Sequence, residues 1–206
     1  MEIVEKYNVS RETIRDLEEF QKMVLDWNKK FNLISKTSEN HIWNRHIVDS
    51  LQLVKFIKKE DTILYDLGSG AGFPGVVIAI YAKYFYPSLK VFLVESVRKK
   101  ASFLNEIKKN LDLNIEIIND RVENLKKQKI DIISSRAMAS LDKLLEYSFN
   151  LSNGKTKMLF LKGLNWQKEV EQAQNKWNFS FEAIQSSTSL EGRILVIENL
   201  RRKPNG

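Results

Sequence analysis

Residues 63–75, ILYDLGSGAGFPG, set four of the chain's eight glycines directly behind an apolar run. Ordering glycine costs more conformational entropy than ordering any other residue. A cluster of this kind at the end of a strand is explained if main chain there must turn sharply or approach a ligand closely. Pro74 falls near the start of the next helical stretch, where its missing N–H costs little.

The surrounding pattern fixes what kind of fold holds this turn. From residue 62 onward, apolar strand-like runs alternate with helical stretches. TILYDL is followed by a helix over 75–85, KVFLVES by one over 97–110, and NIEIIN by a short turn. IDIISS is followed by a helix over 140–150 and KMLFLKG by one over 165–177. Continuous apolar strands separated by helices predict a parallel sheet covered on both faces. FSFEAIQSS and RILVIENL have no helix between them and predict an antiparallel hairpin. Ahead of the sheet, Ser10 caps a predicted helix over 11–31, and a second is expected over about 39–58. We therefore expect an N-terminal helical extension over 1–60, a core domain over 61–200, and a flexible basic tail over 201–206.

In open α/β sheets, ligands bind outside the carboxyl ends of strands near the topological switch point, which this glycine turn would occupy. Gly68, Gly70 and Gly72 let backbone approach a ligand where a Cβ would collide. Phe73-Pro74-Gly75 lacks the Lys-Ser or Lys-Thr of a P-loop, and the sixth position from Gly68 is Phe73, which breaks the dinucleotide fingerprint. Asp66 at the strand end disfavours a pyrophosphate and suits a cationic ligand. Glu95, 27 residues after Gly68 at the next strand tip, is placed to accept both hydroxyls of a ribose. A ribose with a positive centre and no pyrophosphate describes S-adenosylmethionine. The plain alternative is a structural turn with a chance acid on the next strand.

Charge and composition narrow the partners. Net charge is +7. Residues 1–60 carry 11 basic and 10 acidic side chains, residues 61–206 carry 22 and 16, so the excess sits with the glycine turn. That suits a polyanion such as nucleic acid, or else is a solvated lysine-rich surface. Absence of cysteine excludes disulfides, thiol catalysis and cysteine metal sites. His41 and His46 are five apart, off one helix face. No run is long and apolar enough for a membrane span, and the N-terminus lacks a signal-peptide layout. A cytoplasmic, metal-free monomer without membrane contact is expected.

Six stretches share the order and spacing of one known family. WNKKFNLIS (27–35), RHIVDSL (45–51), DLGSGAGFPG (66–75), VESVRKKASFL (94–104), DRVENL (120–125) and SSRAMASL (134–141) together resemble the glucose-inhibited division protein B family. These are bacterial guanine-N7 methyltransferases of small-subunit (16S) ribosomal RNA. The resemblance spans nearly the whole chain, with mild aliphatic swaps such as VVIAI after the turn. It implies a class I S-adenosylmethionine-dependent methyltransferase fold, a Rossmann-like, mostly parallel seven-stranded sheet ending in an antiparallel hairpin. It implies 16S rRNA or the small-subunit particle as partner.

By resemblance, Gly68 and Phe73 belong to the cofactor site, Glu95 lies at the ribose, and Val122 with Glu123 lies beside the adenine. Arg136 would face the cofactor's amino-acid end or the substrate. Its alternative is an ordinary strand-end arginine paired with Glu123 or Asp131. No general base is assigned, because guanine N7 carries an in-plane lone pair and loses no proton before attack. Arg98, Lys99, Lys100 and Lys162 lie near strand ends and are candidates for RNA phosphates. Trp27, Phe31 and Trp43 fit the core better than base stacking, for which Phe73 in the loop is the better candidate. His46 and Asp49, i and i+3, are either a structural pair or part of a cover over the cofactor mouth. Competing readings are a methyltransferase of protein or small molecules, and a non-catalytic RNA-binding assembly protein.

Overall fold

The computed structural model describes residues 7–152 and 154–204. Helix α1 (Arg11–Asn28) starts where expected, with the Thr13 N–H donating to Ser10 Oγ at 3.1 Å. It ends at Asn28, whose Oδ1 accepts from the N–H groups of Leu33 (2.7 Å) and Ile34 (2.9 Å). The WNKKFNLIS stretch thus turns the chain around a single amide. Leu17, Phe20 and Val24 on one face of α1 are fully buried.

The helix expected over 39–58 forms as three consecutive pieces: a π-turn segment (Trp43–Val48), one α-turn (Asp49–Leu51) and a 3-10 turn (Gln52–Phe56). A separate single turn spans Lys36–Glu39. Ser50 Oγ donates back to the His46 carbonyl at 2.6 Å where the π-turn ends. π-Segments concentrate at functional sites, and this one carries Arg45, His46 and, at its end, Asp49.

The sheet is β1 (Ile63–Leu67), β2 (Lys90–Val94), β3 (Ile115–Ile118), β4 (Ile132–Arg136), β5 (Lys157–Lys162), β6 (Trp177–Gln185) and β7 (Arg193–Arg202). Their order is β3-β2-β1-β4-β5-β7-β6, parallel through β5, with β7 antiparallel to both neighbours. The order reverses between β1 and β4, which is the switch point the glycine turn was expected to occupy. Helices α2 (Gly75–Phe85) and α3 (Arg98–Leu111), with α1, cover one face. Helices α4 (Leu141–Leu151) and α5 (Trp166–Gln174) cover the other. Strand residues alternate between these layers: Leu159 and Leu161 join the first core, Met158 and Phe160 the second.

Two boundaries differ from the sequence expectation. The helix expected to reach 177 stops at Gln174, because Trp177 opens β6 with its ring buried and its Nε1–H on Asp142 at 2.9 Å. The tail expected from 201 is partly sheet. Arg201 and Arg202 finish β7, and the Lys203 N–H donates to the Lys176 carbonyl at 2.9 Å. Residues 205–206 of that tail, and residues 1–6 of the N-terminal pattern, lie outside the described residues. No helix among the described residues is long and apolar enough to cross a membrane.

Asp16 fastens α1 to the core. It is 6% exposed, and its Oδ2 accepts from Lys83 Nζ (3.1 Å) and Tyr84 OH (2.8 Å) of α2. Asp16→Ala removes the acceptor of the Tyr84 hydroxyl and leaves Lys83 only the Leu111 carbonyl, and should lower the unfolding free energy by about 2 kcal/mol. Urea titration measures this, and an unchanged midpoint would show that the contact holds nothing.

Candidate functional site

The glycine turn folds back on the tip of β2: the N–H groups of Gly68 and Ser69 both donate to the Val94 carbonyl at 3.0 Å. Gly68, Gly70 and Gly72 all have positive φ. A Cβ on Gly70 would meet nothing nearer than 3.8 Å, so the bare main chain leaves open space beside it. Over Gly68 lies Met138, whose Cγ would be 2.5 Å from a Cβ there. The space is a cavity of about 330 Å³ at the carboxyl ends of β1 to β4, whose lining includes Gly68, Gly70, Glu95, Val122, Glu123 and Tyr147.

Glu95 is the most constrained group in this cavity. It is 6% exposed. Its Oε2 accepts from the Gly70 N–H (2.9 Å) and its Oε1 from the Val97 N–H (2.7 Å). Its carbonyl accepts from Asn119 Nδ2 at 2.8 Å. An ionised carboxylate has about four lone-pair sites, so two remain for a ligand. At the other end, Tyr147 OH donates to Glu123 Oε1 at 2.6 Å. Burial, then this bond, pushes the Tyr147 pKa up to about 12, so it stays a donor. The same hydrogen bond, first among its causes, lowers the Glu123 pKa.

Asp66 does not face the cavity, contrary to expectation. Strand alternation turns it to the α2 face, where it is fully buried. Its Oδ1 accepts from Ser134 Oγ of β4 (2.8 Å) and its Oδ2 from the Gly75 N–H at the start of α2 (3.2 Å). It anchors the loop from behind. Phe73 also departs from expectation. It is 6% exposed, with its ring centroid 5.2 Å from that of Phe20 and stacked 4.9 Å from that of His46. It is thus enclosed under the N-terminal helices, away from the cavity lining and unable to stack on an RNA base. Lys162 is not free for a phosphate: its side chain is 7% exposed, paired with Glu169 at 2.7 Å and donating to the Ala139 carbonyl at 3.0 Å. Arg98 and Lys99 are exposed at the start of α3, and Lys100 lines the cavity. Trp27 and Phe31 pack together with Phe103, and Trp43 is partly buried against the same core.

Arg136 pairs with neither Glu123 nor Asp131. It turns to the π-turn segment, donating to the Arg45 carbonyl (2.9 Å) and to His46 Nδ1, with Asp49 Oδ2 at 3.7 Å. His46 and Asp49 thus meet through Arg136. Burial first, then the charges of Arg136 and Arg45, lowers the His46 pKa to about 3, so the ring is neutral and its proton sits on Nε2. Asp49 Oδ1 also accepts from Gln52 Nε2, Ser186 Oγ and Thr188 Oγ1 at 2.7–3.0 Å. Arg136 borders a second cavity, of about 700 Å³, which shares Ala137 and Met138 with the first. Sequence reasoning missed Tyr147, Met138 and the Asp49 hub. Met138 stood inside SSRAMASL without a role, and Tyr147 fell within the predicted helix over 140–150 without one.

The rRNA small subunit methyltransferase G family matches residues 13–196. The chain belongs to this family. Ribosomal RNA small subunit methyltransferase G of Orientia tsutsugamushi (strain Ikeda) is 43% identical over 192 residues, covering 93% of each chain. The protein of that name from Ruegeria pomeroyi is 39% identical, covering 95% of each. Among solved structures, a SAM-dependent methyltransferase from Aquifex aeolicus superposes with a TM-score of 0.60 at 13% identity, over 79% of this chain and 95% of that one. An O-methyltransferase from Bacillus cereus in complex with SAH gives 0.59 at 14% identity, over 87% and 90%. The fold is therefore that of class I methyltransferases, as expected.

The buried Asp66 gives a pH signature. Burial, with Glu95 adding, raises its pKa to about 6, against the lowering by its Ser134 and Gly75 donors. The folded chain thus keeps a proton that the unfolded chain releases near pH 4. This group's contribution to stability is complete below pH 4 and lost as pH rises through about 6. Relative to Asp66→Asn, the wild type should lose roughly 2 kcal/mol between pH 4 and pH 7. Parallel stability curves in urea would mean that Asp66 titrates normally.

Proposed function

We propose that the chain methylates N7 of a guanine in 16S ribosomal RNA, free or within the small-subunit particle, with S-adenosylmethionine held in the glycine-loop cavity. That it is an S-adenosylmethionine-dependent rRNA methyltransferase is the activity of its family. The target atom and the residue roles are our reading. One observation carries the placement of the cofactor: Glu95, pinned by two backbone donors at the tip of β2, keeps two acceptor sites beside bare glycine main chain. That arrangement fits the two hydroxyls of a ribose.

When bound, the cofactor supplies an electrophilic methyl on a sulfonium. Gly70 would leave its methionine arm room against the main chain, and Gly68 lets Met138 close over the loop. Val122 would offer an apolar face to the adenine, and Glu123, oriented by Tyr147, would accept from its amino group. Asp66 and Phe73 act behind this surface, fixing the loop and the N-terminal cover. Guanine N7 needs no deprotonation, so no general base is required. Alignment of N7 with the C–S bond supplies on the order of 7–11 kcal/mol. Arg136 is the candidate for orienting substrate. A guanidinium bonded to both O6 and N7 would block attack, so its contact is at O6 or a phosphate. Arg98, Lys99 and Lys100 hold RNA phosphates. A metal-free monomer in the cytoplasm, with an N-terminal extension over 1–60 on a core over 61–200, completes the reading.

Glu95→Gln sets an amide NH2 against one of the two backbone N–H donors and removes acceptor sites for the ribose. Calorimetry should show S-adenosylhomocysteine binding at least about tenfold more weakly, and unchanged affinity would place the ribose elsewhere. With labelled S-adenosylmethionine and 16S rRNA from a strain lacking the enzyme, label should map to N7 of one guanine. Label on protein, or on no RNA, would reject the activity.

A further inference from the structure

We propose that the larger cavity holds the guanosine being methylated, flipped out of the RNA, and that Glu169 reads its Watson–Crick edge. This rests on the methyltransferase reading above. The two cavities adjoin through Ala137 and Met138, which line both. A ligand in each would meet across that wall. At about 700 Å³ the second cavity lies within the size range of small-molecule sites. Sequence-specific RNA recognition works on splayed single-stranded bases, and a flipped nucleotide needs its own pocket.

The lining is divided by chemistry. Met138, Ala139 and Leu161 offer an apolar wall for a base. Of the four lining cations, two are matched internally: Arg136 with Asp49 and Lys162 with Glu169. The other two, Arg45 and Arg193, have no carboxylate within 4.0 Å among the described residues. Arg193 is nonetheless fixed, with its guanidinium 5.7 Å from the Trp166 ring centroid and its Nη1 donating to the carbonyls of Leu190 (3.0 Å) and Gly192 (2.8 Å). Its Nε and Nη2 make no hydrogen bond among the described residues. An unmatched pair of guanidiniums suits the phosphodiester on either side of a flipped base.

Glu169 supplies the base discrimination. Its Oε2 accepts from the Leu141 N–H and from Lys162 Nζ, both at 2.7 Å. Oε1 has no partner among the described residues, and the residue lines the cavity. Guanine presents two donors, N1–H and the 2-amino group, on its Watson–Crick edge, where adenine presents the acceptor N1. A fixed carboxylate oxygen therefore accepts from guanine and repels adenine. N7 lies on the opposite edge, so a base held this way leaves N7 free for the methyl. In the transfer, the N7 lone pair forms the new C–N bond as the methyl–sulfur bond breaks. That electron pair goes to sulfur, leaving a thioether, and the positive charge passes to the imidazole ring. No proton moves.

The test compares a 16S rRNA fragment carrying guanosine at the target with one carrying inosine, which lacks the 2-amino group. The wild type should prefer guanosine by about tenfold in kcat/KM, and Glu169→Gln should lose most of that preference while its affinity for S-adenosylhomocysteine holds. Arg193→Gln, which leaves the Glu169–Lys162 pair intact, should raise KM for RNA about tenfold and keep the base preference. In the wild type, 6-thioguanosine at the target should photocrosslink within 137–141 or 161–169. A crosslink elsewhere, or an unchanged KM in Arg193→Gln, would overturn the assignment while leaving the activity standing. Wild-type protein that binds S-adenosylhomocysteine but methylates no RNA would overturn both.

Discussion

A carboxylate with no access to water sits where β1, β4 and α2 meet. Asp66 Oδ1 takes the Ser134 hydroxyl and Oδ2 takes the Gly75 N–H, so one side chain joins three elements across the switch point of the sheet. Everything between Leu67 and Gly75 is suspended between these attachments. The glycine turn can therefore be nearly bare of side chains and still hold one shape. Its other tether comes from β2, through the Val94 carbonyl and the Glu95 carboxylate. The burial cost of Asp66 is offset in part by its own donors, Ser134 and Gly75.

Glu95 also acts on Asp66. Burial, and the nearby charge of Glu95, push the Asp66 pKa toward neutrality. A carboxylate on the cavity wall without an ion-pair partner among the described residues, as Glu95 is, favours a cation over an anion. A sulfonium brings that cation, whereas a pyrophosphate would add to the repulsion. The Glu95 carboxylate thus helps to select among nucleoside ligands.

The architecture was legible because each strand and helix declares itself by its periodicity and by the type of element next in the chain. Parallel strands read as continuous apolar runs, and the terminal hairpin as two strands without a helix. Glu95 was legible for the same reason, since a strand tip is a fixed position in this topology. Asp66 was misread because a one-residue step along a strand reverses the face, and nothing in LYDLGSG says on which side of the tip the carboxylate lies. The Phe73 ring is unavailable for base stacking because its loop is covered by α1 and the π-turn segment, elements more than twenty residues away in the chain. Lys162 looked like a free cation until Glu169, seven residues on, folded beside it. Side-chain partners brought together by tertiary packing leave no periodic trace.

The N-terminal extension is bound to the site more tightly than its place in the chain suggests. Asp49 reaches Ser186 and Thr188 in the loop between β6 and β7, and the Ser187 N–H donates to Gln52 Oε1 at 2.7 Å. Arg136, at the end of β4, is held from the same segment by His46, Asp49 and the Arg45 carbonyl. Three segments distant in sequence therefore share one polar network on the wall of the larger cavity. The π-turn makes this geometry available, because its wider winding departs from the 3.6-residue spacing of an α-helix just where Arg45, His46 and Asp49 must turn to different partners. A regular helix over the same residues would pack against the core but would have to redistribute those contacts. The irregularity of this segment is thus part of how the site is built.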